Sequence, residues 1–288
     1  MSAADGLRDL LDRPEILSFP CCYDALSARL IERAGFELSF MSGFAVSAVR
    51  LGLPDTGLIS YGEMLDQGRS ICQATSVPII GDGDTGYGNA VNVKRTVRGY
   101  ANAGFAAVMI EDQQWPKRCG HTEGKSVVSR AEAVSRIRAA VDASTEGVDI
   151  LVLARTDALA MHGLDEALWR AEAFSDAGAD MLFVEAPQSE AQMETICRRV
   201  PGNHLANMLE DGASPSLTDE QLESLGFKLV AHPFAVFGAS IRAMKETLAV
   251  LKERGTVPPS LSFNELKEDV GFGEYYEEER RYGLSEEE

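Results

Sequence analysis

The sequence predicts an α/β protein built as a (β/α)8 barrel of the TIM type, on three observations: eight short apolar runs, amphipathic stretches between them, and a recurring glycine stop. The stops are Ala34-Gly35-Phe36, Ala103-Gly104-Phe105, Ala177-Gly178-Ala179 and Leu225-Gly226-Phe227, each reading as a helix end followed by a strand. The predicted strands are Leu17 to Phe19, Leu38 to Met41, Val77 to Ile80, Ala107 to Ile110, Ile150 to Ala154, Met181 to Val184, His204 to Ala206 and Lys228 to Ala231. Capping boxes at Ser60 to Glu63, Ser129 to Glu132 and Thr218 to Gln221 mark helix starts between them. Short apolar runs alternating with helices describe buried parallel strands. An open doubly wound sheet is the alternative, but no Gly-x-Gly-x-x-Gly turn follows the first strand.

The 288 residues divide into a barrel over residues 1–255 and a C-terminal helical extension over 256–288. Phe263, Leu266, Val270, Phe272, Tyr275 and Tyr276 are the extension's candidate anchors, onto the barrel or a neighbouring subunit. With 45% hydrophobic and 25% charged residues, the chain can bury a large core. A formal net charge of -18 argues against nucleic acid and anionic membrane as partners, since both need clustered Lys and Arg. The five cysteines (Cys21, Cys22, Cys72, Cys119, Cys197) are odd in number and scattered, so reduced thiols are expected. No basic-then-apolar leader and no run of about 18 apolar residues is present, which predicts a cytoplasmic protein.

In such a barrel the residues that follow each strand face the active site. Here they are Ser42-Gly43, Asp82 and Asp84, Glu111-Asp112, Arg155, Glu185, Asn207 and His232. Carboxylates converging on one mouth repel unless a cation neutralises them, and an oxygen-rich cluster suits Mg²⁺ or Mn²⁺. Asp82 and Asp84, two apart between glycines, can turn toward one ion. A plain Gly/Asp turn gives the same local pattern, but Glu111 and Glu185 at other strand ends favour the metal. Arg155 supplies a planar fork for a substrate carboxylate, or neutralises its acidic neighbours. Backbone N–H groups of Ser42, Gly43 and Phe44 could meet a second carboxylate, and a tight turn is the alternative there. His232 counts among the substrate contacts, whereas His162 and His204 read as packing or surface residues.

The segment from Glu111 to Val128 is too long for an ordinary connection of about 2–6 residues, and such loops usually cover active sites. It carries Lys117, Arg118, Cys119, Gly120, His121 and Lys125. Cations around Cys119 favour its thiolate and make it a candidate acid or base, with Lys117 and His121 beside it. The other four cysteines read as structural. Trp115 is placed to pack the loop, and Trp169 is expected in a helix core.

These residues resemble the isocitrate lyase / phosphoenolpyruvate mutase superfamily over nearly the whole chain. The resemblance is carried by Tyr23-Asp24-Ala25-Leu26-Ser27-Ala28, Leu51-Gly52-Leu53-Pro54-Asp55, the Asp82 to Gly88 run, Glu111-Asp112-Gln113, Lys117-Arg118-Cys119-Gly120-His121, Ala154-Arg155-Thr156-Asp157-Ala158 and Ala206-Asn207-Met208. It implies a barrel whose eighth helix is exchanged with a neighbour, in a homotetramer. It also implies that Asp82 binds Mg²⁺ directly, with Asp55, Asp84 and Glu111 reaching the ion mostly through water. Ser42, Gly43, Arg155, Glu185 and Asn207 would line the substrate, joined by Gly120 and His121. The Lys-Arg-Cys-Gly-His loop is the mark of the carbon–carbon lyase branch, in which its Cys protonates a carbanion product. Phe40-Met41-Ser42-Gly43-Phe44, Gln114-Trp115-Pro116-Lys117 and Phe183-Val184-Glu185-Ala186-Pro187 are most similar to the 2-alkylmalate lyases, the 2,3-dimethylmalate lyase and petal death protein type.

The resulting expectation is retro-aldol cleavage of a small 2-hydroxy di- or tricarboxylate to a 2-oxo acid such as pyruvate plus a carboxylate. Alternatives in the same pocket are 2-methylisocitrate cleavage, oxaloacetate hydrolysis or decarboxylation, and carboxyphosphonoenolpyruvate rearrangement. A barrel that binds a dicarboxylate without turnover is the non-enzymatic alternative.

Overall fold

Helix ends fall where the local chemistry demands. Gly104 and Gly226 terminate their helices with φ of 103° and 100°, a left-handed conformation that a side chain would strain. Reciprocal capping boxes form at Ser60/Glu63 and Thr218/Gln221. The box expected at Ser129 is only half made: Ser129 accepts from the Glu132 N–H, but the Glu132 carboxylate turns to Arg136 at 2.7 Å.

The computed structural model describes residues 2–120, 124–257 and 260–283. Its elements are α1 (Ala3–Leu11), β1 (Leu17–Cys22), α2 (Ala25–Arg33), β2 (Ser39–Met41), α3 (Gly43–Leu51), α4 (Tyr61–Ala74), β3 (Ile79–Asp82), α5 (Ala90–Ala103), β4 (Ala107–Glu111), α6 (Arg130–Thr145), β5 (Leu151–Thr156), α7 (Leu159–His162), α8 (Leu164–Asp176), β6 (Met181–Val184), α9 (Glu190–Arg199), β7 (Asn203–Asn207), α10 (Asp219–Leu225), β8 (Phe227–His232), α11 (Ala235–Arg254), α12 (Phe263–Asp269) and α13 (Phe272–Tyr282). All eight predicted strands are present. Each pairs in parallel with the next, and β1 pairs with β8 from Leu17↔Leu229 to Pro20↔His232, so the sheet closes and the open-sheet alternative is excluded.

Strand side chains alternate between the barrel interior and the helix layer. The interior is filled by Phe19 and Cys21, Phe40, Ile80, Ala107 and Met109, Leu151 and Leu153, Met181 and Phe183, Leu205, and Leu229 and Ala231. Its floor is α1, whose Ala4, Leu7 and Leu10 belong to the same buried cluster. An amphipathic helix before the first strand thus plugs one end of the barrel and leaves the other for chemistry.

The chain forms two compact units, Met1–Phe237 and Gly238–Glu288. The division falls inside α11, a 20-residue helix that buries only Phe237. Within the second unit, Met244, Leu248 and Leu251 are exposed along α11, and α12 and α13 bury no residue. Phe272 and Tyr276 instead lie 5.7 Å apart, with Lys267 near both rings. Trp169, expected in a helix core, is 36% exposed with the Arg130 guanidinium 4.1 Å above its ring. Among the described residues no helix is long and apolar enough to cross a membrane.

Because Leu7 is fully buried beneath the strands, Leu7→Ala is expected to destabilise the fold by about 2–5 kcal/mol in chemical denaturation. Ligand affinity at the opposite end should remain unchanged in the same preparation.

Candidate active site

The alternation that fills the interior also selects the groups at the open end. Two residues beyond the last buried apolar position, the inward series reads Ser42, Asp82, Glu111, Arg155, Glu185 and Asn207, and all six line one cavity of about 80 Å³. Asp55, Lys117, Arg118, Cys119 and Gly120 join them from the loops. The lining also includes apolar Phe44, Leu205, Leu209, Pro233 and Phe234, with the Phe44 ring 4.8 Å from Phe234 and 6.2 Å from Phe237.

Asp82 ends β3 and faces the first turn of α3. Its Oδ2 accepts from the Gly43 N–H at 3.2 Å and its Oδ1 from the Asp84 N–H at 3.0 Å, fixing the carboxylate. A Cβ on Gly43 would stand 2.4 Å from Asp82 Oδ2, so glycine is required for this approach. The Gly43 N–H, expected to face a substrate, donates to Asp82 in this structure. Ser42 caps α3 by accepting from the Ala45 N–H at 3.3 Å. Beneath Asp82, the Tyr100 hydroxyl donates to the Asp82 backbone oxygen at 2.7 Å.

Lys117 brings a cation to Asp55 and Asp84. Buried with its ammonium 2.6 Å from Asp55 and 2.7 Å from Asp84, it is held well above the usual lysine range: burial opposes the charge, but the two carboxylates more than offset that. Asp84 lies out of the cavity, 1% exposed, and burial pushes it up to about 7 against the pull of Lys117. Burial likewise raises Glu111 well above the carboxylate range despite Arg155.

Arg155 is ringed by three acids. Asp157 accepts from its Nε at 2.8 Å and its Nη2 at 3.0 Å, while Glu111 and Glu185 each stand 3.4 Å away. The sequence reading missed Asp157 as a site residue, although it continues the inward series of β5. It also missed Lys125, whose ammonium lies 2.9 Å from Asp157 and donates to the Gly120 carbonyl. Asp112, by contrast, faces the helix layer, where Arg170 at 3.0 Å and Thr156 at 2.6 Å hold it.

The loop after β4 folds back on itself through a Gln113↔Val127 antiparallel bridge. The Gln113 side chain binds both backbone groups of Arg118, at 2.8 and 3.0 Å. Trp115 packs 5.8 Å from Tyr87 at its root. Cys119 and Gly120 are thereby brought to the cavity, while the predicted His121 lies outside the described residues. His232, expected among the substrate contacts, occupies an outward position of β8, pairs with Ser18 Oγ at 3.1 Å and is not among the residues that line the cavity.

Two buried carboxylate oxygens, Asp84 Oδ2 and Glu111 Oε1, have no hydrogen-bond partner among the described residues. Such oxygens beside a fixed Asp82 carboxylate suit a hard cation. Among the described residues no group of three or more His, Cys, Asp or Glu side chains is placed to hold a metal ion by itself. The oxygen donors at Asp82, Asp84 and Glu111 are of the kind that suits Mg²⁺, which takes one or two carboxylates directly and keeps several waters.

Residues 7–252 match the family model described as phosphoenolpyruvate phosphomutase. The chain is 41% identical to 2,3-dimethylmalate lyase of Eubacterium barkeri, over 98% of this chain and 99% of that protein. The chain belongs to the phosphoenolpyruvate mutase / isocitrate lyase superfamily. It is an enzyme of this superfamily of lyases and mutases. A 2-methylisocitrate lyase of Aeropyrum pernix is 42% identical over 87% of this chain and 80% of its own length. Oxaloacetate acetylhydrolase bound to 3,3-difluorooxalacetate superimposes with a TM-score of 0.95 at 36% identity, covering 99% of this chain and 98% of that one. Phosphonopyruvate hydrolase in complex with oxalate and Mg²⁺ does so with a TM-score of 0.86 at 29% identity, covering 98% and 99%.

The raised Asp84 sets a sign for pH dependence. Its folded-state value of about 7 lies above the unfolded value near 4, so the fold binds the extra proton and loses stability as pH rises through that window. In chelator, the melting midpoint of the wild type minus that of Asp84→Asn should fall between pH 5 and pH 8. A pH-independent difference contradicts the burial argument.

Proposed function

We propose that the protein is a Mg²⁺-dependent carbon–carbon lyase that cleaves a 2-hydroxy dicarboxylate of the 2-alkylmalate type into a 2-oxo acid and a second carboxylate. The observation that carries this reading is the mixed lining of the cavity: acids, Arg155 and Cys119 together with Phe44, Leu205, Leu209, Pro233 and Phe234. Among the described lining residues, the ends of β7 and β8 and their loops contribute no cation, so this part of the lining suits an alkyl group better than a third carboxylate. That favours an alkylmalate over a tricarboxylate such as 2-methylisocitrate. The likeness to 2,3-dimethylmalate lyase points the same way.

Asp82 would hold Mg²⁺, with Asp55, Asp84 and Glu111 supporting it through water, and the ion would polarise the substrate oxygens it touches. The remaining work falls to the protein. Arg155 orients a substrate carboxylate with its planar fork, and its charge stabilises negative charge developing on the departing fragment. The bond between C2 and C3 breaks as the 2-hydroxyl loses its proton to water, from which Cys119 later regains one, and C2 becomes a carbonyl. The electron pair passes to C3 and the adjoining carboxylate. Cys119 Sγ, at the cavity edge, gives C3 its proton and is reprotonated before the next turnover. Glu185 holds Arg155 from the far side, and Asn207 offers an amide to the substrate from β7. Burial of the lining keeps the local dielectric low, so each of these charges acts strongly.

Incubation of the protein and Mg²⁺ with 2,3-dimethylmalate, 2-ethylmalate, 2-methylisocitrate and oxaloacetate, followed by release of the 2-oxo acid (pyruvate, or 2-oxobutanoate from 2-ethylmalate) and of oxalate, tests the reading. The alkylmalates should be cleaved fastest, and Cys119→Ser should lose about 10²- to 10⁴-fold in kcat with its fold and metal binding intact. Release of oxalate and acetate from oxaloacetate, with no alkylmalate turnover, contradicts the proposal.

A further inference from the structure

We propose that Lys125 and Asp157 form a latch that holds the Cys119 segment over the cavity, and that the same Asp157 carboxylate controls the reach of Arg155. The catalytic consequence rests on the lyase reading, whereas the latch itself rests on geometry alone.

Lys125 belongs to the returning arm of the loop, yet its side chain is only 4% exposed. A buried ammonium demands acceptors, and it has two: Asp157 Oδ1 at 2.9 Å and the Gly120 carbonyl. The first belongs to the barrel, the second to the segment carrying Cys119. One side chain thus ties that segment to the scaffold. Asp157 is a rigid anchor: it is fully buried, and its backbone N–H donates to Asp112 Oδ1 at 2.9 Å. Asp112 is itself fixed by Arg170 and Thr156.

Gly120 is the other half of the device. A Cβ at this position would lie 2.5 Å from Arg155 Nη2 and 2.5 Å from Glu185 Cδ, so the segment rests directly on the Arg155–Glu185 pair. The latched loop therefore touches the substrate-facing guanidinium. Its release would also change the charge around that guanidinium. With Lys125 in place, Asp157 divides its charge between two cations. With Lys125 withdrawn, Asp157 belongs to Arg155 alone and pulls the guanidinium away from a substrate carboxylate. Closing the loop and freeing Arg155 are in this way one event, and Lys125 and Asp157 are positioning residues rather than catalytic ones.

The test is the rate at which iodoacetamide alkylates Cys119 in the full-length protein without substrate, resolved by peptide mass spectrometry. Cys72 and Cys197 serve as internal references, because burial pushes both thiols up to about 12. Lys125→Met and Lys125→Gln should raise the Cys119 rate about tenfold or more, the size of effect that loss of roughly 1.4 kcal/mol of local closure gives. Lys125→Arg should restore slow alkylation, and circular dichroism should show all three variants folded at the assay temperature. With a cleaved substrate, Lys125→Met should lower kcat and raise KM together, and Lys125→Arg should recover both. Wild-type alkylation rates in both Lys125→Met and Lys125→Gln overturn the latch. Faster alkylation in a protein that cleaves none of the tested acids upholds the latch and removes the lyase reading instead.

Discussion

The open end of this barrel is organised by an excess of buried negative charge. Asp55, Asp82, Asp84, Glu111, Asp157 and Glu185 are all buried, and the cations paired with them are Lys117, Lys125 and Arg155. Six carboxyl groups against three cations cannot all ionise at ordinary pH in a low-dielectric site without further positive charge. Burial pushes the carboxyls of Asp84 and Glu111 up, and neighbouring acids add to that. A divalent ion at Asp82 would supply the missing positive charge.

The same charges tie the loop after β4 to the barrel. Lys117 enters the site from that loop to bridge Asp55 and Asp84, and Lys125 returns through it to reach Asp157. Both ammonium groups are buried only because carboxylates await them, so the acidity of the mouth is what seats the segment carrying Cys119. Removing one partner of such a pair strands a buried charge, a loss of about 3–5 kcal/mol. The acids around Asp82, the Arg155 guanidinium and the segment carrying Cys119 are therefore parts of one electrostatic arrangement.

Much of this was legible in the sequence because a strand has a period of two and a barrel has one functional end. Asp82, Glu111, Arg155, Glu185 and Asn207 follow their apolar runs at inward positions, which is why strand-end polar residues located the cavity. Applied strictly, the same rule separates Glu111 from Asp112 and turns His232 outward, since Ala231 faces the interior. It also brings Asp157 into line with Arg155. Other features depend on distant contacts that no local pattern carries. The partner of Lys125 lies 32 residues away, and the use of the Gly43 N–H by Asp82 joins groups 39 residues apart. The plug formed by α1 has a helical pattern like any other, and only closure of the sheet above it gives it that place. The division at Phe237 likewise depends on packing: α11 reads as an eighth barrel helix, but its burial stops after its third residue.

The central claim is that Asp82 gathers a divalent cation to balance the buried acids, and thermal unfolding under Mg²⁺ titration tests it most directly. Wild-type protein in chelator should gain stability saturably as Mg²⁺ is added, following RT ln(1 + [Mg²⁺]/Kd), and Asp82→Asn should show no such gain. Equal, saturable stabilisation of the wild type and of Asp82→Asn would contradict the account.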